Sequence, residues 1–519
     1  MARQPKSVVD NARRQARQTK AALDPSTPSL DYKALQGDWN LISTVLGGTK
    51  SMRAAGKSLL PQHEGESDLR YKDRLNSATF TNYTALTLDH WCGKPFSKPA
   101  VISKDSDPDI IKLAADIDLC GSELTVVLKD WFTKGMAKRR AYCLVEYPKV
   151  PDHIRARGVT LADEQRLNLR PYWVIIPAEA MIAPRKERVN GEDIFTNVRF
   201  YDNETYYDGF EEKVRVRIRE IERAVLERDE FGDEVSVVVR TRLHVKKDRN
   251  EWDTKDWETV DAPDNLITLV EFDTGKLELL DLAYLNITHW QSASDQRNCL
   301  TTARFPILAA KGVAADTVVT IGPYAFLASK DSNSEFYYVE HGGAALDAGQ
   351  TDLDKLTEDM ALYGAEMLKQ RPDRETATSR VLDQAENTAP LQVHVFNFIS
   401  AVNMALYYTA RWLDKPENTV ARIEMDTDFA LSAEATQKVD HLKELRKSGD
   451  ISRKQLLTGM KEAKALPDSF DITANESELD AEADAKATKA ADAAKKLAAA
   501  SPPKPAPGSP GGKTPEKDQ

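Results

Sequence analysis

The chain has 519 residues and a mass of 57.9 kDa, with 41% hydrophobic and 29% charged residues. This suits a folded protein of about three domains and excludes a largely unstructured chain. Its net charge of -11 argues against tight, sequence-independent duplex binding over a broad surface, which needs many Lys and Arg against phosphate. No apolar run approaches the ~20 residues a membrane helix requires; the longest, Tyr172-Trp173-Val174-Ile175-Ile176, stops at Pro177 and Glu179.

Residues 1–28 form a basic arm, with Arg3, Lys6, Arg13, Arg14, Arg17 and Lys20 against a single acid before Asp24. Helical stripes follow. Leu35, Trp39, Ile42 and Leu46 form one; Leu124, Val127, Leu128, Trp131 and Phe132 form another, with Ser122 as its expected N-cap. The run Ala141–Tyr147 reads as a buried strand ended by Pro148. From about 170 to 275 the period changes to two. Val214, Val216 and Ile218 alternate with Lys213, Arg215, Arg217 and Arg219, the pattern of one half-buried strand. Glu234–Lys247 and Trp252–Val260 predict a hairpin around Asp248-Arg249-Asn250, while Asn190-Gly191 and Thr274-Gly275 mark tight turns.

A helix is expected around 279–298, then strands at 317–328 and 335–341. Two long helical stripes come next. Leu353, Leu356, Met360, Tyr363 and Met367 carry the first; Val395, Ile399, Val402, Leu406 and Leu413 carry the second. Between them lies Lys369-Gln370-Arg371-Pro372-Asp373-Arg374, a basic break in which Pro372 cannot donate a helix hydrogen bond. A helical segment at about 432–465 is interrupted by Ser448-Gly449-Asp450. The end of the chain, rich in Ala, Lys, Asp and finally Pro, offers too little apolar surface to offset its ordering entropy.

Chemistry-bearing motifs are sparse. Cys92, Cys120, Cys143 and Cys299 are spread without metal-ligand spacing, and the chain opens without a hydrophobic signal segment, so free, buried thiols in a reducing compartment are expected. Gly47-Gly48-Thr49-Lys50-Ser51 ends like a phosphate loop but lacks its glycine spacing, and a helix-ending turn is the better reading. His289 and His394 fall within helical stripes and read as packing residues; Asp116 and Asp118 read as a solvated loop rather than a Mg²⁺ site. No nucleophile elbow or Cys/His signature is present. The residues support neither catalysis nor a cofactor or metal.

A resemblance carries more. Leu46-Gly47-Gly48-Thr49-Lys50-Ser51-Met52-Arg53-Ala54-Ala55-Gly56, Leu60-Pro61, Glu66 to Tyr71 and Arg74-Leu75 resemble the opening signature of a portal-protein family of tailed bacteriophages. The likeness continues through Gly93-Lys94-Pro95-Phe96 and Asp116–Gly121, then Asp281–Asn286, His289-Trp290, Ser294-Asp295, Arg304-Phe305-Pro306 and Gly312. It spans about residues 35–465, and the order and spacing of these pieces carry it rather than any one motif.

The resemblance implies an α+β portal fold with helical wing, stem helices, strand-rich clip and small helical crown; the chain departs from portals with large crowns or long C-terminal barrels, its composition predicting a disordered C-terminal tail over the last forty residues. The basic arm at 1–28 would lead into the first wing part and stem at 29–184, the clip at 185–275 and the second stem helix and return at 276–312. Wing strands would occupy 313–350, and the long wing helices 351–415 with a tunnel loop at 369–378. A crown-like region at 416–475 and the tail at 476–519 complete the chain. It further implies a homo-oligomeric ring, usually a dodecamer, at one capsid vertex. Its partners would be the major capsid protein, a head–tail adaptor, the terminase large subunit and double-stranded DNA without sequence preference. Such a protein is assembled in the host cytoplasm, resides in the virion and has no membrane role.

Two residue groups are singled out. Lys369, Arg371 and Arg374 would face DNA from the tunnel loop, and serve equally well as a solvated loop cluster. Arg215, Arg217 and Arg219 would form a clip interface between subunits, or meet local acids such as Glu220 and Glu222 on an ordinary surface sheet. A head–tail adaptor or minor head protein, and a metal-dependent nucleic-acid enzyme, are the alternatives; adaptors are usually much shorter chains.

Overall fold

The first core forms where one helix supplies aromatic side chains on the face that another chain segment must cover. The computed structural model describes residues 24–189, 191–231, 234–247, 251–304, 307–311, 333–339, 343–363, 377–427, 431–462, 466, 470–479 and 481. These fall in two compact units, one holding residues 1–375 and 385–429, the other 376–384 and 430–519.

In the first unit, α1 (Leu30–Leu46) starts at Ser29, whose side chain accepts from the Tyr32 amide, and buries Trp39, Ile42 and Val45. Gly47 ends it, and α2 (Gly48–Ala55) begins at once with Gly48 at φ +68, a conformation that favours glycine. The phosphate-loop look-alike is therefore a helix-to-helix turn. α3 (Asp68–Ser77) and α4 (Tyr83–Gly93) are capped by Ser67 and Asn82. β1 (Val101–Ile102) and α5 (Pro108–Leu113) precede α6 (Leu124–Lys138). The N-cap of α6 is Glu123 rather than Ser122, and it makes no side-chain cap bond. Ser122 is instead held in the preceding loop, its amide donating to Asp118 Oδ1 at 3.1 Å.

β2 (Arg140–Glu146) shows why its sequence is apolar without alternation. Ala141, Cys143 and Val145 face the helical core, whereas Tyr142 and Leu144 face a second core. Short helices α7 (Asp152–Arg155) and α8 (Leu161–Leu167) lead to β3 (Tyr172–Pro177). β4 (Met181–Val189) and β5 (Glu192–Tyr201) flank Gly191, which takes φ +92. Then come β6 (Glu204–Asp208), β7 (Glu211–Arg215), β8 (Arg217–Arg228), β9 (Glu234–Lys246), β10 (Trp252–Thr254), β11 (Glu258–Val260) and β12 (Leu269–Asp273).

The strand expected through Val214 to Arg219 is two strands broken at Val216. Among the described residues β7 pairs with β6 alone, while β8 joins the six-stranded sheet of order β10-β9-β8-β5-β4 with β11 also on β9. Ile218 is buried but Val214 is exposed, so the alternation does not describe one face. The predicted hairpin is present: both β10 and β11 pair antiparallel with β9. β12, β2 and β3 form a separate antiparallel sheet, which packs on the six-stranded sheet through Tyr142, Leu144, Phe195, Val198, Ile221 and Leu269.

α9 (Leu280–Ala303) follows, then the pair β13 (Ile307–Lys311) and β14 (Glu335–Val339). The strand expected at 317–328 lies outside the described residues. α10 (Gly343–Leu362) carries Leu353, Leu356 and Met360 of the first stripe, with Tyr363 just past its end and Met367 outside the described residues; α11 (Ala377–Trp412) carries the second up to Leu406, begins 18 residues before Val395 and includes Pro390. β15 (Ile423–Glu424) pairs back with β1.

The helical core is aromatic. Phe398 of α11 meets Trp131, Phe132 and Phe272 edge-on at centroid distances of 5.1, 5.1 and 5.0 Å, and Phe132 stacks on Phe272 at 5.5 Å. Each such ring removes roughly 150–250 Å² from water. Three indole donors are satisfied as they are buried: Trp131 donates to Ala141 O, Trp173 to Thr409 Oγ1 and Trp412 to Val145 O; the buried Trp290 indole N–H has no hydrogen-bond partner among the described residues.

The second unit contains α12 (Leu431–Ser448) and α13 (Arg453–Glu462), joined at the predicted Ser448-Gly449-Asp450 break, where Gly449 takes φ +88. Gly459 lies against Leu442, leaving no room for a Cβ. Residues 472–479 are also helical, with Asp471 Oδ1 accepting from the Thr473 and Ala474 amides, so helical structure runs past the boundary expected at 475.

Candidate functional site

The residues that carried the resemblance are far apart in sequence, yet many meet around α9. Arg74 lies one turn after Tyr71 on α3, and both are buried. Its guanidinium is only 4% exposed and grips Glu66 bidentately, Nε to Oε1 and Nη2 to Oε2, both at 2.9 Å. Nη2 also donates to Pro61 O at 2.7 Å, and Nη1 reaches Asp295 of α9 at 3.4 Å. The Arg74 hydrogen bond, with a further bond from the His63 amide, holds the Glu66 carboxyl down at about 2. His63 closes the group from the surface, its Nε2 lying 3.0 Å from Asp295. Desolvation offsets most of the attraction in such a buried pair, so its main effect is positional: losing one partner strands the other's charge.

One face of α9 then docks the other N-terminal helices. Asn286 is fully buried; its Oδ1 accepts from Thr84 N and Oγ1, and its Nδ2 donates to Thr81 O. Asn82, the cap of α4, also donates to Val45 O at the end of α1. Trp290 packs edge-on to Phe80 among Val45, Met52, Leu60, Ala78 and Ile287. His289 packs edge-on to Tyr83 at 5.4 Å, and burial lowers its pKa. On α10, Ser292 meets Asp352 and Gln296 donates to Leu346 O. α9 is thus a strut between α1–α4 and α10.

The predicted clip arginines are all engaged within the chain. Arg215 pairs with Glu204 at 3.0 Å and covers the Tyr206 ring at 4.5 Å. Arg217 shares Glu204 at 3.4 Å and takes Asp202 at 3.3 Å. Arg219 crosses to β2, where Glu146 receives both terminal nitrogens. Glu220 and Glu222 are not their partners. Glu222 pairs with Arg240 at 2.6 Å; Glu220 takes Arg242, His244 and Asn197 at 2.7, 3.1 and 3.0 Å. Burial alone would raise the Glu220 carboxyl, but these hydrogen bonds prevail and hold it at about 2. Lys369, Arg371 and Arg374 lie outside the described residues.

A cavity of about 1040 Å³ opens beside Glu146, Tyr172, Arg219, Arg242, Thr268 and Trp412. The cations lining it have acids of their own: Lys149 with Glu258, Arg155 with Asp261, Lys255 with Asp253 and Arg411 with Asp264. Asp116 and Asp118 organise their loop, accepting from Gly121 N and from Cys120 and Ser122 N. Among the described residues no three His, Cys, Asp or Glu are grouped to hold a metal, and no helix is long and apolar enough to cross a membrane. Cys92 and Cys143 are buried as expected; Cys120 and Cys299 are exposed, against expectation, because each falls on a solvent-facing position.

Arg74, Glu66, Asn286 and Asp295 belonged to the resembling segments but were not recognisable as one group. Arg74 sits among Arg70, Lys72 and Asp73, and nothing in its spacing separates a buried cation from a solvated one.

Residues 278–413, from just before α9 to just past the end of α11, match Domain of unknown function (DUF4055). No curated protein matches the chain. Solved structures similar to it include three from gene transfer agent particles. A chain in the neck of an empty gene transfer agent particle, computed with C6 symmetry, has TM-score 0.41 and 9% identity, over 81% of this chain and 93% of that one. One in the virion of the native particle gives 0.40 and 10%, over 81% and 99%. One in the native neck, computed with C12 symmetry, gives 0.37 and 10%, over 73% and 89%.

Proposed function

We propose that this chain is the portal protein of a tailed phage, a non-catalytic ring at one capsid vertex through which double-stranded DNA enters and leaves. The observation that carries the reading is the ordered series of resembling segments from about residue 35 to 465, within which 278–413 also match Domain of unknown function (DUF4055). The Arg74 group supports the reading: segments more than 200 residues apart contribute Glu66, Arg74 and Asp295 to one partly buried contact.

In this reading α9 is the second stem helix and α10 and α11 are wing helices. The six-stranded sheet belongs to the clip, which docks the adaptor and the terminase large subunit, and α12 and α13 form a small crown. The ring is a dodecamer seated against the major capsid protein, assembled in the host cytoplasm and retained in the virion. A net charge of -11 suits a channel that must pass DNA without holding it, since like charge repels phosphate. Lys369, Arg371 and Arg374, repeated around the ring, would touch the backbone without reading sequence.

Negative-stain imaging and mass measurement of the purified full-length chain test this. A closed ring with a central hole is expected; monomers alone at micromolar concentration across several salt conditions would overturn it. Replacing Lys369, Arg371 and Arg374 with Ala should leave the ring intact and change DNA packaging or retention.

A further inference from the structure

The β6–β7 hairpin stands apart from both sheets. Five-residue strands joined by Gly209-Phe210, with Gly209 at φ +65, pair among the described residues only with each other, and an isolated two-stranded hairpin is marginal in water. One face is closed by its own charges: Arg215 over Tyr206 and against Glu204, and Lys213 against Asp208. The register puts Thr205, Tyr207, Glu212 and Val214 on the other face. Tyr207 is 71% and Val214 61% exposed, and Phe210 at the tip is fully exposed. Residues 202–215 hold five acids against Lys213 and Arg215, and Glu212 enters no ion pair among the described residues. The result is an acidic hairpin with an uncovered aromatic and apolar face.

The described chain begins at the foot of this hairpin. Arg199 donates to Pro25 O and Thr27 O, and the Ser29 amide donates to Ile182 O, laying 24–29 across the six-stranded sheet. Asp24 faces Trp252 and Lys246. The Lys246 amide donates to Val216 O, and the Asp202 amide to Arg217 O, the residues from which the hairpin springs. Immediately upstream are 23 residues with Arg3, Lys6, Arg13, Arg14, Arg17 and Lys20 against Asp10, and with Val8 and Val9. Fully extended, such a segment reaches roughly 75 Å, several times the ~17 Å length of a five-residue strand.

We propose that residues 1–23 dock on the Thr205–Tyr207–Val214 face and Phe210 tip of the β6–β7 hairpin of the same chain, a basic cover on an acidic, apolar surface. Opposite charge brings the segment to the hairpin, and Val8 and Val9 supply apolar contact for Tyr207 and Val214. The inference does not depend on the portal reading.

Full-length protein carrying the photocrosslinker benzoylphenylalanine in place of Phe210 tests it, with crosslinked peptides read by mass spectrometry in a mixture of isotopically light and heavy chains. Crosslinks to residues 1–23 within one chain are expected. Their yield should fall severalfold in an Arg13→Glu, Arg14→Glu, Arg17→Glu variant and at ~0.5 M salt, where charge attraction is screened. Crosslinks to another segment, to another copy, or none at all would overturn the proposal, as would a yield indifferent to the charge reversal. Particle mass from the same sample keeps the readings separate: a ring without the crosslink removes this inference alone, and the crosslink in a protein that stays monomeric removes the portal reading alone.

Discussion

The helical core and the six-stranded sheet hold themselves together by different physics. Around Phe398, stabilisation comes from burying large rings against Trp131, Phe132 and Phe272, a term that depends little on salt or pH. In the sheet, long charged side chains do much of the joining. Arg219 holds Glu146, Arg223 holds Glu234, and Arg240 and Arg242 lie over Trp257 at 4.4 and 4.1 Å while binding Glu222 and Glu220. One region is therefore tuned by shape and the other by charge, so each should fail under a different insult.

The largest effect is expected from Phe398→Ala, which empties the centre of the aromatic group. It should cost about 3–5 kcal/mol, read as a lower urea midpoint that barely responds to added salt. In the sheet, Glu146→Ala leaves the Arg219 guanidinium without its carboxylate and should cost about 1–3 kcal/mol; a loss confined to high salt would contradict the assignment. Gly135→Ala returns to the first region. A Cβ there would lie 2.3 Å from the Phe272 ring, and the overpacking should cost about 1–3 kcal/mol with no salt dependence.

Acid separates the regions further. Glu220 is held at about 2, below the 4.5 of an unperturbed glutamate, so the unfolded state binds the extra proton. Its contribution is complete above pH 4.5 and is lost as pH falls from there toward 2. Hydrogen exchange at pH 3 should therefore rise in β8 and β9 before it rises in α6. The smallest change is Arg215→Ala: its pair with Glu204 is solvent-exposed, and about 0–1 kcal/mol is expected by thermal unfolding.

What could be read in advance follows the same division. Regular burial was legible: the stripes through Trp39 and Ile42, through Trp131, and through Val395 and Leu406 all fall on helices with those residues buried or partly buried, and Ala141–Tyr147 closely matches β2. The β9 hairpin was legible because its turn residues interrupt two alternating runs. Partnerships of charge were not. Arginines two apart suggested one face, yet Arg215, Arg217 and Arg219 divide between two strands and reach Glu204, Asp202 and Glu146. The identity of an ion's partner depends on which distant segment the fold brings near, and Glu146 is 73 residues from Arg219. The extent of α11 was missed for a related reason: Pro390 and the polar sequence ahead of it conceal the helix upstream of Leu391. The Arg74 group was hidden for the same cause, its partner Asp295 lying 221 residues away.

These separations also govern how the molecule comes into being on a ribosome. β1 cannot pair until β15 exists, since Val101 meets Glu424 and Ile102 meets Ile423. Likewise α1–α4 wait for Trp290, and α6 waits for Phe398. At roughly 5–20 residues per second, translation from the first partner to the last takes on the order of tens of seconds. Throughout that interval the nascent N-terminal helices carry apolar faces whose covers have not been made. The chain is thus a natural client for holding chaperones until its last third emerges, and a truncation before β15 would leave a sticky fragment rather than a smaller working protein.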